Sequence, residues 1–365
     1  MQFEFFPSRT LSIYLARLFV TRIVAVLLML TLVLQMLDLL GESGDILAYP
    51  GNGQAQLLHY VALRIPQLIA RFLPYSVLLA TIITLATLNQ NSEVISMKAA
   101  GLSAHQVLAP LIGAALVISG ISFVFNERVV TRATAALTAW EAVDYGPIPT
   151  TANARTNLYL AEGRDILLAG ALSGAGNALV MTQVTYYRRD ADGAIVEQLR
   201  APRATYANPG WRMENPTRFD AQAVATSRLA SAVVAQGITP DQVAITGVDA
   251  DAEGLFALSE SIDAMALAGR RTTDLRAAWW HKISGPLSAA LMPLLGAVAA
   301  FGLARSGQLL IRAVIGMALG FAYFVFDNAA LAMGNFGGYP PFLAAWAPFL
   351  LFALIGETVL IRTEE

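Results

Sequence analysis

IVAVLLMLTLVLQML, residues 23–37, runs for 15 residues without a charge between Arg22 and Asp38, inside a longer apolar segment from Leu11 to Leu40. As a helix that segment measures about 45 Å, against roughly 30 Å for the hydrocarbon core of a bilayer. It reads as a membrane span whose ends leave the lipid or tilt. No small-residue cleavage site follows it, so it is expected to be a retained helix and not a removed signal peptide.

Further apolar segments follow. Leu57 to Leu88 holds Arg64, Pro66, Arg71 and Pro74 in its first half, while the run from Phe72 to Ser92 is uncharged. A third span fits between Lys98 and Glu127, a fourth between Lys282 and Arg305, a fifth from Leu309 to Met333 and a sixth from Phe342 to Ile361. The breaker run Gly334 to Pro341 separates the last two. At 56% hydrophobic, 14% charged and a mean hydropathy of +0.56, the 365 residues are too apolar for one water-soluble core. Lipid must cover the excess. With a net charge of only -2 no global field argues for a nucleic-acid or acidic partner, and the absence of cysteine excludes disulfides, thiol catalysis and cysteine-ligated metals.

Six spans put both termini on one side, where Arg9, Arg17, Lys98, Arg305, Arg312 and Arg362 gather. The opposite loops, Gly41 to Gln56 and Gly334 to Pro341, hold no Lys or Arg. The positive-inside rule makes the termini cytoplasmic and the polar middle external, which in a two-membrane bacterium means periplasmic.

That middle reads as β. Asn157 to Ala161, Asp165 to Ala171 and Leu179 to Arg188 are strand-like, and Asp190-Ala191-Asp192-Gly193 is a turn. Asn208-Pro209-Gly210 introduces a further run, Trp211 to Phe219. Such spacing favours a sandwich, a jelly roll or a similar open β stack. Ser259 to Ala268 and Asp274 to Trp280 read as helices leading back to the bilayer. The fold class is thus membrane α-helical, with six transmembrane helices and an inserted periplasmic all-β jellyroll-like domain. The expected division is residues 1–126 with three spans and a short cytoplasmic helix near 91–101, 127–275 with the β domain and its connector, and 276–365 with three spans.

Motifs for chemistry are absent. The chain has no G-x-x-x-x-G-K-[ST] phosphate loop, and His59, His105 and His281 lie far apart with no H-E-x-x-H. Ser92, Ser96 and Ser103 lack a dyad pattern. The segment from Asn91 to Gly101 is helix-compatible: Asn91 or Ser92 can cap it, and Glu93 complements its N-terminal dipole. Val94, Ile95 and Met97 give it an apolar side. From the residues alone two readings stand, an ordinary interfacial helix and a docking helix for a cytoplasmic partner.

The stretch Asn91 to Ser103, Trp280-His281-Lys282-Ile283-Ser284-Gly285-Pro286-Leu287-Ser288, Arg312 through Asp327, and Tyr339-Pro340-Pro341 together resemble the LptF/LptG family of lipopolysaccharide-export ABC permeases, nearer its LptG branch. The β middle joins the resemblance through Gly210-Trp211-Arg212 and Thr217-Arg218-Phe219-Asp220. The resemblance implies a transport subunit and not an enzyme, with no cofactor or metal of its own. It implies an LptF-like second permease, an LptB-like ATPase dimer that binds ATP and Mg, an LptC-like bridge protein, and lipopolysaccharide or a related glycolipid as cargo. It assigns ATPase coupling to Ser92, Glu93, Val94 and Met97. It places a lipid cavity with lateral gates on the first and fifth spans, giving Gln35, Asp38, Arg71, Phe72, Gly316, Gly320, Phe321, Phe324 and Asp327 as candidates. Gly316 and Gly320 permit close helix approach, and an acid such as Asp327 near a span marks a cavity or an interhelical contact.

One departure stands out. The family's lysines at the outer end of the first span, which meet phosphorylated sugar, are matched here by Gln35, Gly41 and Glu42. Arg64 and Arg71 are the candidate compensating cations, or side chains that snorkel to the interface. The head group is left open, with a glycolipid of fewer phosphates suiting the site. The alternatives to a transporter are a membrane-anchored envelope-assembly scaffold and a lipid-modifying enzyme.

Overall fold

A computed structural model describes residues 6–362 apart from 148–154, 174–178, 192, 222, 224, 241–242, 244–247, 268–269 and 302–308. Arg305, Asp192 and Ala268, which entered the reading above, lie outside the described residues. The chain opens with α1 (Arg9–Ala48), α2 (Gln54–Gln90), the short α3 (Glu93–Ala99) and α4 (Ala104–Phe125). A π-helical turn, Asn126–Val130, carries α4 on into α5 (Thr131–Glu141). After the strands come α6 (Leu255–Leu267), α7 (Thr273–Phe301), α8 (Leu309–Asn335) and α9 (Pro341–Arg362). Among the described residues five helical stretches, α1, α2, α4 with α5, α8 and α9, are long and apolar enough to cross a membrane.

The helices outrun the sequence boundaries in two places. Residues 41–48, expected as part of a loop, continue α1, and residues 127–141, expected at the start of the β domain, are helical. Ile46, Tyr60, Leu137, Trp140 and Tyr145 explain both, because they form one apolar cluster that burial of these extra turns completes. Trp140 Nε1 donates to the Gly146 carbonyl at 3.0 Å and Tyr145 Oη donates to Glu42 at 2.8 Å. Pro66 and Pro74 leave α2 a single helix.

α7 is the hub of the bundle, packing on α2, α4, α8 and α9. Glycine makes these approaches possible. A Cβ on Gly296 would lie 2.7 Å from Thr81, one on Gly320 2.1 Å from Leu78, and one on Gly356 2.7 Å from Leu294. Leu15, Phe19, Ile23, Thr31 and Gln35 form the stripe that α1 buries, and the membrane core continues through Val77, Leu85, Leu108, Leu111 and Leu295.

The β domain comprises β1 (Arg155–Glu162), β2 (Asp165–Ser173), β3 (Val180–Arg189), β4 (Ile195–Tyr206), β5 (Trp211–Glu214), β6 (Thr217–Asp220), β7 (Ala225–Arg228) and β8 (Ser231–Val234). All pairings are antiparallel. β5 and β6 lie on the same edge of β4 in one unbroken register, Trp211 opposite Tyr206 and Asp220 opposite Glu197. They are one strand interrupted at Asn215-Pro216, where Asn215 takes φ 47 and proline has no N–H to donate. The run Trp211 to Phe219 therefore holds its register but breaks in the middle. β7 and β8 repeat the pattern against it. The result is a meander, the open member of the β stacks expected. β4, absent from the strand-like runs named above, is its longest row. Its inner face holds Leu167, Met181, Val184, Leu199, Trp211 and Met213, with Trp211 Nε1 donating to the Ile238 carbonyl at 3.0 Å. Glu197, 7% exposed, is paired by Arg188 at 2.7 Å and by Arg218. A buried carboxylate with two guanidinium partners avoids the cost of an uncompensated charge.

Candidate functional site

Three features stand out on the bundle: a short helix at one end, two uncovered apolar faces along its sides, and a charged cavity at the end nearest the β domain.

The short helix is α3. Ser92 precedes it with φ 60 and makes no capping hydrogen bond, so neither reading of its cap holds. Asn91 instead reaches Glu93 Oε1 at 3.3 Å, and Tyr14 Oη on α1 donates to Glu93 Oε2 at 3.0 Å. The apolar side expected of α3 divides. Val94 and Met97 are 6% and 7% exposed and belong to the core of the chain itself, whereas Ile95 is 62% exposed. Val94 and Met97 are therefore anchors of α3 in the chain's own core, and Ile95 is the apolar residue it leaves uncovered. Helical geometry forces the division, since residues three apart share a face and Ile95 lies about 100° around from Val94.

The uncovered faces belong to α1 and α8. Only 17% of the most apolar stretch of each is buried, against 56% for α2. Leu28, Leu32, Met36 and Leu40 project from α1, and Val314, Met317, Phe321 and Val325 from α8. α1 packs on α2 and α4, and α8 on α2, α7 and α9, so neither covers the other. Gly320 lets α8 approach Leu78 of α2, and Gly316 one turn earlier is also buried, so this glycine pair serves packing within the chain. Gln35 is 6% exposed, and neither its Nε2 nor its Oε1 has a hydrogen-bond partner among the described residues.

The cavity, of about 1040 Å³, lies between α2, the π turn, α5, α7, α8 and residues 248–251. Of the candidates, Arg71, Gly320, Phe324 and Asp327 line it; Gln35, Asp38, Phe72, Gly316 and Phe321 do not. Tyr75 joins its walls, stacking edge-on against Phe324 at 5.4 Å and lying 5.9 Å from Phe72. Asp327 is held by His281 Nε2 at 3.0 Å, which makes it both an interhelical contact and a cavity wall. Arg64 is not a free cation. Its guanidinium grips Asp38 at 2.8–3.2 Å, and Tyr60 Oη donates to the same carboxylate at 2.7 Å, tying α1 to α2. Arg71 is exposed and makes no ion pair among the described residues.

His281, Lys282, Glu127, Asp249 and Asp251 also line it; none was a candidate site residue in the sequence, although His281 and Lys282 stand in the family-like stretch Trp280 to Ser288. Lys282 carried a usable signal as the ionisable residue at the edge of the uncharged interval that runs to Arg305. Asp249 and Asp251 carried none, since only the return of the chain to α7 brings them there.

A bundle of long apolar helices around a cavity, with an antiparallel domain inserted between its halves, is the architecture of a polytopic membrane permease. The family model for the lipopolysaccharide export system permease LptF/LptG matches residues 13–362, and the chain belongs to that family. It is similar to the lipopolysaccharide export system permease protein LptG of Escherichia coli K12, 23% identical over 365 residues that cover 98% of this chain and 99% of that protein. Against LptG of Haemophilus influenzae it is 23% identical over 316 residues, covering 85% and 87%.

Proposed function

We propose that this chain is the LptG-like half of a two-permease exporter in a bacterial inner membrane, drawing lipopolysaccharide or a related glycolipid out of the membrane. The observation that carries the reading is the pair of uncovered apolar faces on α1 and α8, which suit an LptF-like permease across a lipid cavity, the two helices forming its gates. α7 serves as the sixth span, the termini are cytoplasmic, and the β domain is periplasmic, where an LptC-like protein continues the bridge. An LptB-like ATPase dimer binds ATP and Mg and docks on α3, with Ser92 and Ile95 at the contact and Glu93 fixing the helix to α1. Closure of the ATPases pulls on α3, the Tyr14 hydrogen bond conveys that pull to α1, and the packed side of α3, with Val94 and Met97 buried, conveys it to α2 and α4.

The test is purification of the assembled complex with wild-type chain and with Glu93→Ala, followed by native mass spectrometry and lipid-release assays. A second permease, two ATPase copies and a retained glycolipid are expected for wild type, with lost or uncoupled ATPase in the variant. Full coupling in Glu93→Ala overturns the role of α3, and a chain isolated without permease or ATPase partners, under conditions that preserve other complexes, overturns the exporter.

A further inference from the structure

Both connections between the β domain and the helices come to the end of α4 nearest that domain. The entering connection is covalent: α4 passes through the π turn into α5, and the chain continues from α5 to β1. The returning connection reaches the same place through a hydrogen bond. The backbone N–H of Leu255, the first residue of α6, donates to Glu127 Oε2 in the π turn at 2.7 Å, across 128 positions of sequence.

The surroundings are built for that bond. The first turn of a helix leaves its N–H groups without partners and favours negative charge, so a carboxylate is the acceptor it suits. π turns are rare and recur at functional sites. In this one Thr131 Oγ1 donates to the Glu127 carbonyl at 2.9 Å and steadies the residue. Gly254 lies against the carboxylate, where a Cβ would stand 3.0 Å from Oε2, so a side chain there would push the returning segment away. Trp279 Nε1 of α7 donates to the Leu255 carbonyl at 3.1 Å, which holds Leu255 from the other side. Lys282 of α7 stands in the field of Glu127, Asp249, Asp251 and Glu253 and offsets the negative charge gathered there.

Two helices therefore hold the returning segment in different ways. Leu258 and Ile262 pack with Leu275, so α6 follows α7 through apolar contact. Glu127 makes it follow α4. At its other end α4 is joined to α3 by more than the chain: Leu102 N donates to the Met97 carbonyl at 3.1 Å, and Ser103 caps α4 in a reciprocal pair with Gln106. From there α4 runs 22 residues, about 33 Å as a helix, to the π turn.

We infer that Glu127 is a positioning residue through which movement of α3 and α4 reaches the β domain, because it makes the returning segment travel with the entering one. The inference rests on the exporter reading above and deepens it by carrying the ATPase stroke across the membrane. Without the bond the returning segment follows α7 alone, and the two roots of the domain move separately.

The test uses the complete complex with the partners' cysteines replaced; this chain has none. Spin labels at Ser227→Cys on β7 and Phe336→Cys between α8 and α9, both exposed, report the distance from β domain to bundle. It is measured without nucleotide and after trapping with ATP and vanadate. Trapping is expected to shift the distance distribution in the otherwise wild-type chain, and Glu127→Ala to lose that shift. Glu127→Gln keeps the reach and an acceptor oxygen and is expected to retain the shift, whereas Glu127→Asp keeps the charge, falls one methylene short and is expected to lose it. This split separates a bond of defined reach from a general effect of charge or folding, and the Gln and Asp variants decide the matter alone if Glu127→Ala does not assemble. No shift on trapping in the wild-type background overturns the inference, as does a shift that survives in Glu127→Asp; both leave the exporter standing. A complex without an ATPase, or one that does not hydrolyse ATP, overturns the exporter reading itself and the inference with it.

Discussion

Arg64 and Arg71 sit two turns apart on one helix and have opposite situations. The first is locked to Asp38 with Tyr60 as a third member, and the second is unengaged. The pair at Asp38 is only partly exposed, at 29% for Arg64 and 19% for Asp38, so removing one partner strands a charge that water reaches incompletely. Asp38→Ala is expected to destabilise the bundle by about 1–3 kcal/mol after allowance for solvent screening, whereas Arg71→Ala leaves stability nearly unchanged. Thermal unfolding in detergent checks both. In the β domain, burial together with the hydrogen bond to Asp165 raises the Tyr186 phenol above its ordinary 10.0. The folded state thus holds this proton more tightly than the unfolded chain, and the contribution is complete below pH 10 and falls as pH rises further. Alkaline melting of the domain is expected to soften above that value, and Tyr186→Phe to flatten the dependence. Retention of the same slope in the variant would assign it to another group.

At the scale of the element, α3 shows how a seven-residue helix is held without a cap. A helix this short does not persist on its own propensity, so tertiary anchoring by Val94, Met97 and the Tyr14–Glu93 hydrogen bond sets its position. Because the chain has no cysteine, single cysteines report cleanly. Ile95→Cys is expected to label readily in the isolated chain and to cross-link to the ATPase in the complex, while Val94→Cys stays inert in both. A reactive Val94→Cys would mean that α3 turns its other face outward.

At the scale of the whole molecule, two cores fold apart, one inside the helices and one inside the meander. The apolar surface left on α1 and α8 is the face proposed above for a second permease. Cysteines at Met36 on α1 and Val325 on α8, placed together in one chain, are expected to give no internal cross-link. Placed singly, each is expected to cross-link to the second permease in the assembled complex. Efficient internal cross-linking would show that the two helices close on each other and would remove the gate between subunits.

Five of the long apolar helices, the β character of the middle and the helical return toward the bundle were legible in the sequence because each is a local pattern: uncharged runs, alternating strands, turn residues. Asp327 was legible as a costly intramembrane acid, although nothing local named His281, 46 positions away, as its partner. Tertiary structure alone decided that Arg64 is spoken for and Arg71 free, that Val94 and Met97 face inward while Ile95 faces out, and that Asp249 and Asp251 return to crown the cavity. The physical reason is common to all three. Hydropathy and turn chemistry act over a few residues, whereas the charge balance of a site is the sum of side chains that only the packed chain brings together.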